Sequence, residues 1–170
     1  SFAANYHKWI VDNFQPYLGD CVAEIGAGTG NLSTFLLTLG IKQLFSFEPS
    51  ENMFPLLNER MGGNDKITTV NAFLKDKSRS YHNRFDSVLY VNVLEHIQDD
   101  EEELKHAYQT IRKNGYILIF VPALPFLYSP FDKNVGHFRR YEKQGLIKIV
   151  ESAGFIIQQV KYLDIAGIIP

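Results

Sequence analysis

A glycine-rich stretch, "VAEIGAGTGN" at residues 22–31, follows a short apolar run. Gly26, Gly28 and Gly30 stand where a first strand turns into a helix, and glycines at such a turn bring backbone N–H groups close to a ligand. The stretch lacks the Gly-Lys-Ser/Thr ending of nucleoside triphosphate loops, and the third glycine comes one residue too early for the G-x-G-x-x-G spacing of dinucleotide sites. A tight turn that binds nothing is the structural alternative.

Two glutamates indicate the charge of the ligand. Glu24 lies at the end of the first predicted strand, where it would repel a pyrophosphate and attract a cationic or amino-bearing group. Glu48 ends the second predicted strand in "FSFEPS", where an acidic side chain accepts hydrogen bonds from ribose hydroxyls. A solvated surface carboxylate is the alternative for Glu48. Together the two residues favour a cationic, ribose-bearing ligand.

Two histidine-containing stretches are candidates for chemistry on a second reactant. His96 follows the fourth predicted strand in "VNVLEHIQDD", and His137 precedes two arginines in "GHFRRYEKQG". Histidine is able to accept a proton near neutral pH, and guanidinium groups bind acidic, phosphorylated or sugar-like groups. Arginines that are solvated or paired with nearby carboxylates are the structural alternative. Asp99 and Asp100 are interpreted as N-terminal cap charges of the next helix.

The elements that must position these residues alternate between strand and helix. The strand-like runs are "CVAEI", "QLFSF", "KITTV", "FDSVLYV", "GYILIFV" and "FIIQQVKYL". Helical periodicity marks residues 2–14, 30–39, 50–61, 101–112 and 146–153. The fourth of these has a predicted buried stripe of Leu104, Ala107, Tyr108 and Ile111, and Gly115 is expected to end it. This alternation predicts an α/β fold with a doubly wound, mainly parallel sheet.

One long stretch has no sustained period. Residues 121–141, "VPALPFLYSPFDKNVGHFRRY", contain three prolines and many aromatic residues. Loops of this length are usually functional or disordered, and the aromatic content argues against disorder. We therefore predict a lid at about residues 122–141 that closes the site with Phe126, Tyr128 and Phe131.

Composition limits the class of protein. The 170 residues, 45% hydrophobic, suit one domain over residues 1–170, and a net charge of −2 lacks the basic excess of nucleic-acid-binding proteins. The single cysteine, Cys21, precludes an internal disulfide and a cysteine-rich metal site, and favours a reducing, cytoplasmic setting. No metal site and no membrane span are predicted. Because the chain lacks an initial methionine and ends in the apolar "DIAGIIP", we expect it to be a piece of a longer polypeptide.

The stretches "EIGAGTG", "FEPS", "VNAFLKD" and "VLYVNVLEHIQDD" together resemble the successive motifs of the class I S-adenosylmethionine-dependent methyltransferases. The resemblance covers nearly the whole chain and implies a Rossmann-like fold, S-adenosyl-L-methionine as cofactor and S-adenosyl-L-homocysteine as product. Members of this family normally close the sheet with a seventh, antiparallel strand. Nothing after "FIIQQVKYL" supplies that strand, so the sheet is expected to lack it.

The resemblance also implies residue roles. It places Glu24 near the methionyl amino end of the cofactor, Glu48 on the ribose hydroxyls, and Asn71 where many relatives have an aspartate at the adenine amino group. Asn92, Val93 and Leu94 correspond to the segment beside the transferred methyl. The full set of cofactor residues implied in this way is Glu24, Gly26, Ala27, Gly28, Gly30, Glu48, Pro49, Ser50, Met53, Asn71, Ala72, Phe73, Asn92, Val93 and Leu94.

The acceptor side is implied less directly. In the family a Glu-His pair like Glu95-His96 more often shapes the pocket or binds substrate than acts as a base, so His96 and His137 are candidate bases only. Relatives with a similar "GH-x-RRY" stretch favour an acceptor-binding role for the lid. The predicted acceptor-binding residues are Tyr128, His137, Arg139, Arg140 and Tyr141.

The resulting hypothesis is a methyltransferase that acts on a small-molecule or sugar- or lipid-linked acceptor. A nucleic-acid acceptor is not expected, because the chain has neither a strong basic face nor an "NPPY"-type motif. Two alternatives remain open: a non-catalytic S-adenosylmethionine-binding partner or regulatory domain, and an NAD-dependent oxidoreductase, which the glycine spacing disfavours.

Overall fold

The computed structural model describes residues 2–163, with side chains from residue 5 onward. Five strands form one sheet in the order β3-β2-β1-β4-β5, and every neighbouring pair is parallel. The strands are β1 (Cys21–Ile25), β2 (Gln43–Phe47), β3 (Ile67–Val70), β4 (Phe85–Val91) and β5 (Ile111–Phe120). The helices are α1 (Phe2–Phe14), α2 (Asn31–Leu37), α3 (Phe54–Met61), α4 (Leu74–Lys77), α5 (Asp100–Thr110), α6 (Pro130–Asn134) and α7 (Lys143–Ser152). The predicted doubly wound α/β fold is confirmed.

Helices cover both faces of the sheet because the central strands are apolar on both faces. All five residues of β1 are buried; Val22 packs with α1 and α2, whereas Ala23 and Ile25 pack with α5 and α7. Helix α3 adds a smaller cluster of Leu57 and Met61 against Ala27. This double coverage is what a parallel sheet requires.

The strand order reverses at β1, which has β2 on one side and β4 on the other. The chain that follows β1 therefore moves toward one edge of the sheet, and the chain that follows β4 moves toward the other. In doubly wound sheets a crevice opens at this point, outside the carboxyl ends of the strands. The loops after β1, β2, β3 and β4 all lie at that end.

The end of the described chain differs from the prediction. Residues 155–163, "FIIQQVKYL", were expected to form a strand, and the structure assigns them none. Ile156 is 84% exposed. The β-forming residues of this segment are not sufficient for a strand, because strand formation depends on cross-strand pairing and burial more than on local propensity. The described residues contain no antiparallel strand, in agreement with the expected absence of the family's closing strand.

The boundary between α5 and β5 also differs. The helix ends at Thr110 rather than residue 112, and Ile111 already pairs with Phe85 in the sheet. A register irregularity follows, in which Asn114 rather than Gly115 takes a positive φ of 65°. Tyr108, expected in the buried stripe, is half exposed and packs edge-to-face on Phe155.

The predicted lid contains short helical structure. A 3₁₀ turn covers Pro125–Leu127, and α6 follows. Phe126 and Phe131 are 80% and 70% exposed, so this segment presents aromatic surface to its surroundings. Among the helices of residues 2–163, none has both the length and the apolar character needed to cross a bilayer.

Candidate functional site

The three glycines after β1 serve two different purposes. All have positive φ, at 67°, 58° and 82° for Gly26, Gly28 and Gly30. A Cβ at Gly26 would lie 2.6 Å from the Val93 side chain, and one at Gly30 would lie 2.7 Å from Met61. A Cβ at Gly28 would meet nothing within 4 Å. The outer glycines therefore permit close packing, whereas Gly28 faces open space that is available to a ligand.

The Glu48 carboxylate joins the loops after β1 and β2. One oxygen accepts a hydrogen bond from the Gly28 backbone N–H at 2.7 Å, and the other accepts one from the Ser50 N–H at 2.9 Å. The side chain is nearly buried, at 7% exposed. Each carboxylate oxygen has a second acceptor position, so this group is held ready to accept further hydrogen bonds.

Glu24 is buried between α2 and β2. Its Oε2 accepts hydrogen bonds from the Ser33 hydroxyl at 2.5 Å and the Ser46 hydroxyl at 2.8 Å. Within the described chain Oε1 has no hydrogen-bond partner. Burial raises the pKa of Glu24 to about 7, against the opposing effect of the two hydroxyls. Sequence reasoning found Glu24 but not the two serines, because they come from separate elements.

The ends of β2 and β3 are joined by a hydrogen bond. The Asn71 side-chain amide donates to the Glu48 backbone carbonyl at 2.9 Å, and its side-chain oxygen makes no hydrogen bond to any described residue. Met53 and Phe73 stand 44% and 52% exposed on this side, and Pro49, Ser50 and Ala72 are half-buried. These residues are the candidates for the adenine contacts.

The end of β4 completes the crevice. Asn92 has a positive φ of 54° and its side-chain amide donates to the Tyr6 hydroxyl at 3.1 Å. Val93 packs against Gly26, and Leu94 is buried. Tyr6 of α1 was not predicted at the site. Its place in the helical periodicity of residues 2–14 is the only sequence signal, and that periodicity predicts packing against the core rather than contact with a ligand.

A second group of polar residues lies three positions farther along the chain. Glu95 is fully buried, and His96 and His137 contact each other edge-to-face with ring centroids 4.6 Å apart. The His137 Nε2 lies 3.9 Å from Glu95 Oε1. Burial, and then the neighbouring His137, lower the pKa of His96. The two predicted candidate bases are therefore neighbours, although about 40 residues separate them in sequence.

Asp132, which sequence reasoning missed, organises the predicted lid. It is completely buried and accepts hydrogen bonds from Arg140, at 2.8 Å and 3.1 Å, and from the Ser129 backbone at 2.9 Å. It also contacts His137 Nδ1 at 3.0 Å. The Arg140 guanidinium holds the pKa of Asp132 well below its usual range. A lone acidic residue in an aperiodic stretch gives no sequence signal for this role.

The remaining lid residues are also held by the protein. Arg139 forms an ion pair with Asp100 at 2.5 Å, and the Tyr141 hydroxyl donates to the same carboxylate at 2.8 Å. Tyr128, 41% exposed, donates its hydroxyl to the His137 backbone carbonyl. The predicted cap role is confirmed for Asp99, which accepts from the Glu102 N–H. Asp100 is an acidic residue in the first turn of α5, as interpreted, and its carboxylate also binds Arg139 and Tyr141 of the lid.

The fold and the crevice define the class. Glycines after β1, an acidic residue after β2 and an open face at the reversal of the sheet are the architecture of a class I S-adenosylmethionine-dependent methyltransferase domain. A family model described as "Methyltransferase domain" matches residues 6–160, and the chain belongs to that family.

Curated relatives agree on the family. The chain is 28% identical over 149 residues to a tRNA U34 carboxymethyltransferase of Helicobacter pylori (strain Shi470), covering 85% of this chain and 56% of the relative. It is 29% identical over 133 residues to an uncharacterized methyltransferase of Bacillus mycoides (strain KBAB4), covering 78% and 60%. The chain thus spans less than two thirds of the length of these relatives.

Solved structures agree on the fold. A putative methyltransferase from Bacillus halodurans superposes with a TM-score of 0.75 at 18% identity, covering 88% of this chain and 70% of that one. A possible histamine N-methyltransferase from Thermotoga maritima superposes with a TM-score of 0.72 at 25% identity, covering 92% and 72%.

Proposed function

We propose that this domain binds S-adenosylmethionine at the carboxyl ends of β1–β4 and directs its methyl group to a small-molecule or sugar- or lipid-linked acceptor beside residues 122–141. The observation that carries the proposal is the Glu48 carboxylate, fixed by the Gly28 and Ser50 N–H groups beside the open face of Gly28. The buried Oε1 of Glu24, without a partner in the described chain, fits a cofactor that carries an ammonium group. A cytoplasmic location is part of the proposal.

The residues of the chain would mainly position the two reactants and exclude water from the site. The cofactor supplies a methyl group on a sulfonium, which leaves as a neutral thioether, so alignment and exclusion of water matter more than strong acid or base catalysis. Glu48 would orient the ribose, Glu24 the amino end, and Asn71 with Phe73 the adenine. Asn92 and Val93 would form the wall beside the methyl.

The acceptor would be bound on the lid side. Phe126 and Phe131 offer apolar surface, and a histidine that is neutral at pH 7 is able to take the proton of an acceptor hydroxyl. The lowered pKa of His96 suits it to that role. Arg139 and Arg140 already pair with Asp100 and Asp132, so an acidic acceptor would have to compete with these carboxylates.

An RNA acceptor is the second candidate, because one curated relative is named for a tRNA uridine. The net charge of −2 argues against it, since binding through phosphates needs a basic surface. A domain that binds the cofactor without turnover is the other candidate, because the chain spans less than two thirds of the length of the curated relatives it matches.

Cofactor binding is tested by comparing Glu48→Gln with Glu51→Gln, which alters an exposed carboxylate three residues away. Hydrogen bonds to a charged group contribute about 1.5–3 kcal/mol, so we expect Glu48→Gln to weaken S-adenosylhomocysteine binding roughly 10- to 100-fold in calorimetry. Glu51→Gln should bind as the unaltered chain does. Stabilisation of the unaltered chain by NAD alone would overturn the proposal.

The acceptor class is tested by incubating the domain with methyl-labelled S-adenosylmethionine and either a metabolite extract or total tRNA. Label in small, nuclease-resistant products supports the proposal, and label that nuclease releases as nucleosides supports the RNA alternative. Cofactor binding without label in either fraction favours the non-catalytic domain.

A further inference from the structure

Three potential metal ligands meet beside the crevice. Glu95, His96 and His137 each offer one ligand atom, and these atoms all lie within 4.8 Å of one another. Glu95 and His96 belong to the 3₁₀ turn after β4, Leu94–His96, and His137 comes from the lid after β5. The cluster therefore depends on the fold, and no spacing in the sequence marks it.

The Glu95 carboxylate lacks the partners that a buried charge needs. It is 0% exposed, and neither oxygen has a hydrogen-bond partner in the part of the chain that the structure describes. Leaving such a group unpaired costs free energy, and buried charges are normally paired or bound to metal. The nearest cationic candidate, His137 Nε2, is 3.9 Å from Oε1, which is beyond hydrogen-bond distance. The gap between them is a place where a cation would satisfy both groups.

Both imidazoles are held at Nδ1 by oxygen atoms that only accept hydrogen bonds. His137 Nδ1 lies 3.0 Å from Asp132 Oδ1, and His96 Nδ1 lies 3.2 Å from the Gly136 carbonyl oxygen. Each Nδ1 must therefore carry the proton of a neutral ring, which leaves the Nε2 lone pair available to a metal. Arg140 and Ser129 in turn fix Asp132. A carboxylate or carbonyl behind the ligating imidazole is the usual support of a protein metal site.

We propose that Glu95, His96 and His137 bind one divalent transition-metal ion, with Zn²⁺ the ion that two imidazoles and one carboxylate suit well. Three protein ligands leave a tetrahedral ion one open position. Metal binding itself does not depend on the proposed methyl transfer. If that function holds, the ion lies three residues from Asn92, where it would bind an oxygen of the acceptor and lower the pKa of a hydroxyl. The two histidines would then be ligands rather than bases.

The test uses untagged protein treated with a chelator and then titrated with ZnCl₂ in a calorimeter, with CoCl₂ as a spectroscopic probe. We expect one ion per chain and visible Co²⁺ absorption of tetrahedral type. Glu95→Gln and His137→Gln should each abolish both signals, whereas His82→Gln, which alters an exposed histidine outside the cluster, should leave them unchanged.

Asp132→Asn provides a second variant that removes no ligand. It should weaken Zn²⁺ binding about 10- to 100-fold, because loss of an outer-shell partner has that effect at other sites. Circular dichroism and S-adenosylhomocysteine binding report whether each variant is folded. Absence of one-site Zn²⁺ and Co²⁺ binding by the unaltered chain overturns the proposal, as does undiminished binding by folded Glu95→Gln or His137→Gln. Binding of S-adenosylhomocysteine by the metal-free chain is measured separately, so failure of the metal proposal does not count against the proposed cofactor site.

Discussion

At the scale of single residues, the Glu24 carboxyl group is buried, which disfavours its charged form, and hydrogen bonds from two hydroxyls partly offset that cost. Burial raises its pKa to about 7, while the Ser33 and Ser46 hydroxyls stabilise the charged form. The group therefore changes protonation near neutral pH, where an ordinary glutamate is fully charged. An ammonium group close to Oε1 would favour the charged form.

This shift predicts a pH-dependent stability in the absence of cofactor. Below pH 4.5 Glu24 is protonated in both states. Between pH 4.5 and about 7 the unfolded chain releases a proton that the folded chain keeps, so folding loses stability as the pH rises, by up to about 3 kcal/mol. Glu24→Gln cannot titrate, so its urea-unfolding free energy should gain on that of the unaltered chain between pH 5 and pH 8. Glu51→Gln is the control, and parallel pH profiles for Glu24→Gln and the unaltered chain would contradict the assignment.

At the scale of elements, the loop after β1 contains two closely packed glycines, Gly26 and Gly30, and one glycine with open space beside it, Gly28. Gly26 and Gly30 have neighbours that exclude a Cβ, whereas Gly28 and the distant Gly40 have positive φ and nothing within 4 Å. Alanine at Gly28 or Gly40 meets only the strain of its backbone conformation, about 1 kcal/mol. Alanine at Gly26 adds a clash with Val93.

We therefore expect Gly28→Ala and Gly40→Ala to lower the free energy of unfolding by similar amounts, about 1 kcal/mol, and Gly26→Ala to lower it by more. Of Gly28→Ala and Gly40→Ala, only Gly28→Ala should also weaken S-adenosylhomocysteine binding, by at least about tenfold, because its methyl group enters the open face of the loop. Urea unfolding and calorimetry measure the two effects. Equal affinities of Gly28→Ala and Gly40→Ala would show that the cofactor does not approach Gly28.

Sequence patterns predict some of the secondary-structure elements and not others. The five strands of the sheet are predicted correctly because each contains a short apolar or alternating run with β-branched or aromatic residues, although β5 begins at Ile111 rather than at Gly115. Residues 155–163 have the same composition but no strand, since pairing is a non-local property. The end of α5 is misplaced by two residues because Ile111 suits the buried face of a helix and the start of β5 equally well.

At the scale of the whole molecule, the chain topology brings together residues whose proximity the sequence does not predict. The proposed cofactor side of the crevice is predictable because Gly28 and Glu48 each carry a local signal at a strand end. The proposed acceptor side is not predictable, because Glu95, His137 and Asp132 come together only through the return of the lid to β4. The Phe138 backbone N–H donates to the Glu95 carbonyl at 2.8 Å, which fixes that return.

The sheet itself predicts a gradient of protection across the molecule. Strands β1 and β4 have parallel neighbours on both sides, whereas β5 pairs only with β4 among the described strands. A groove of about 960 Å³ borders β5 and includes residues from 155–163 in its lining. Amides of residues 156–163 have no ladder partner, so in hydrogen exchange by mass spectrometry they should exchange at rates close to those of an unfolded chain. Amides of β1 and β4 should open only with global unfolding, and β5 should lie between. Protection of residues 156–163 equal to that of β1 would mean that this segment does pair in solution.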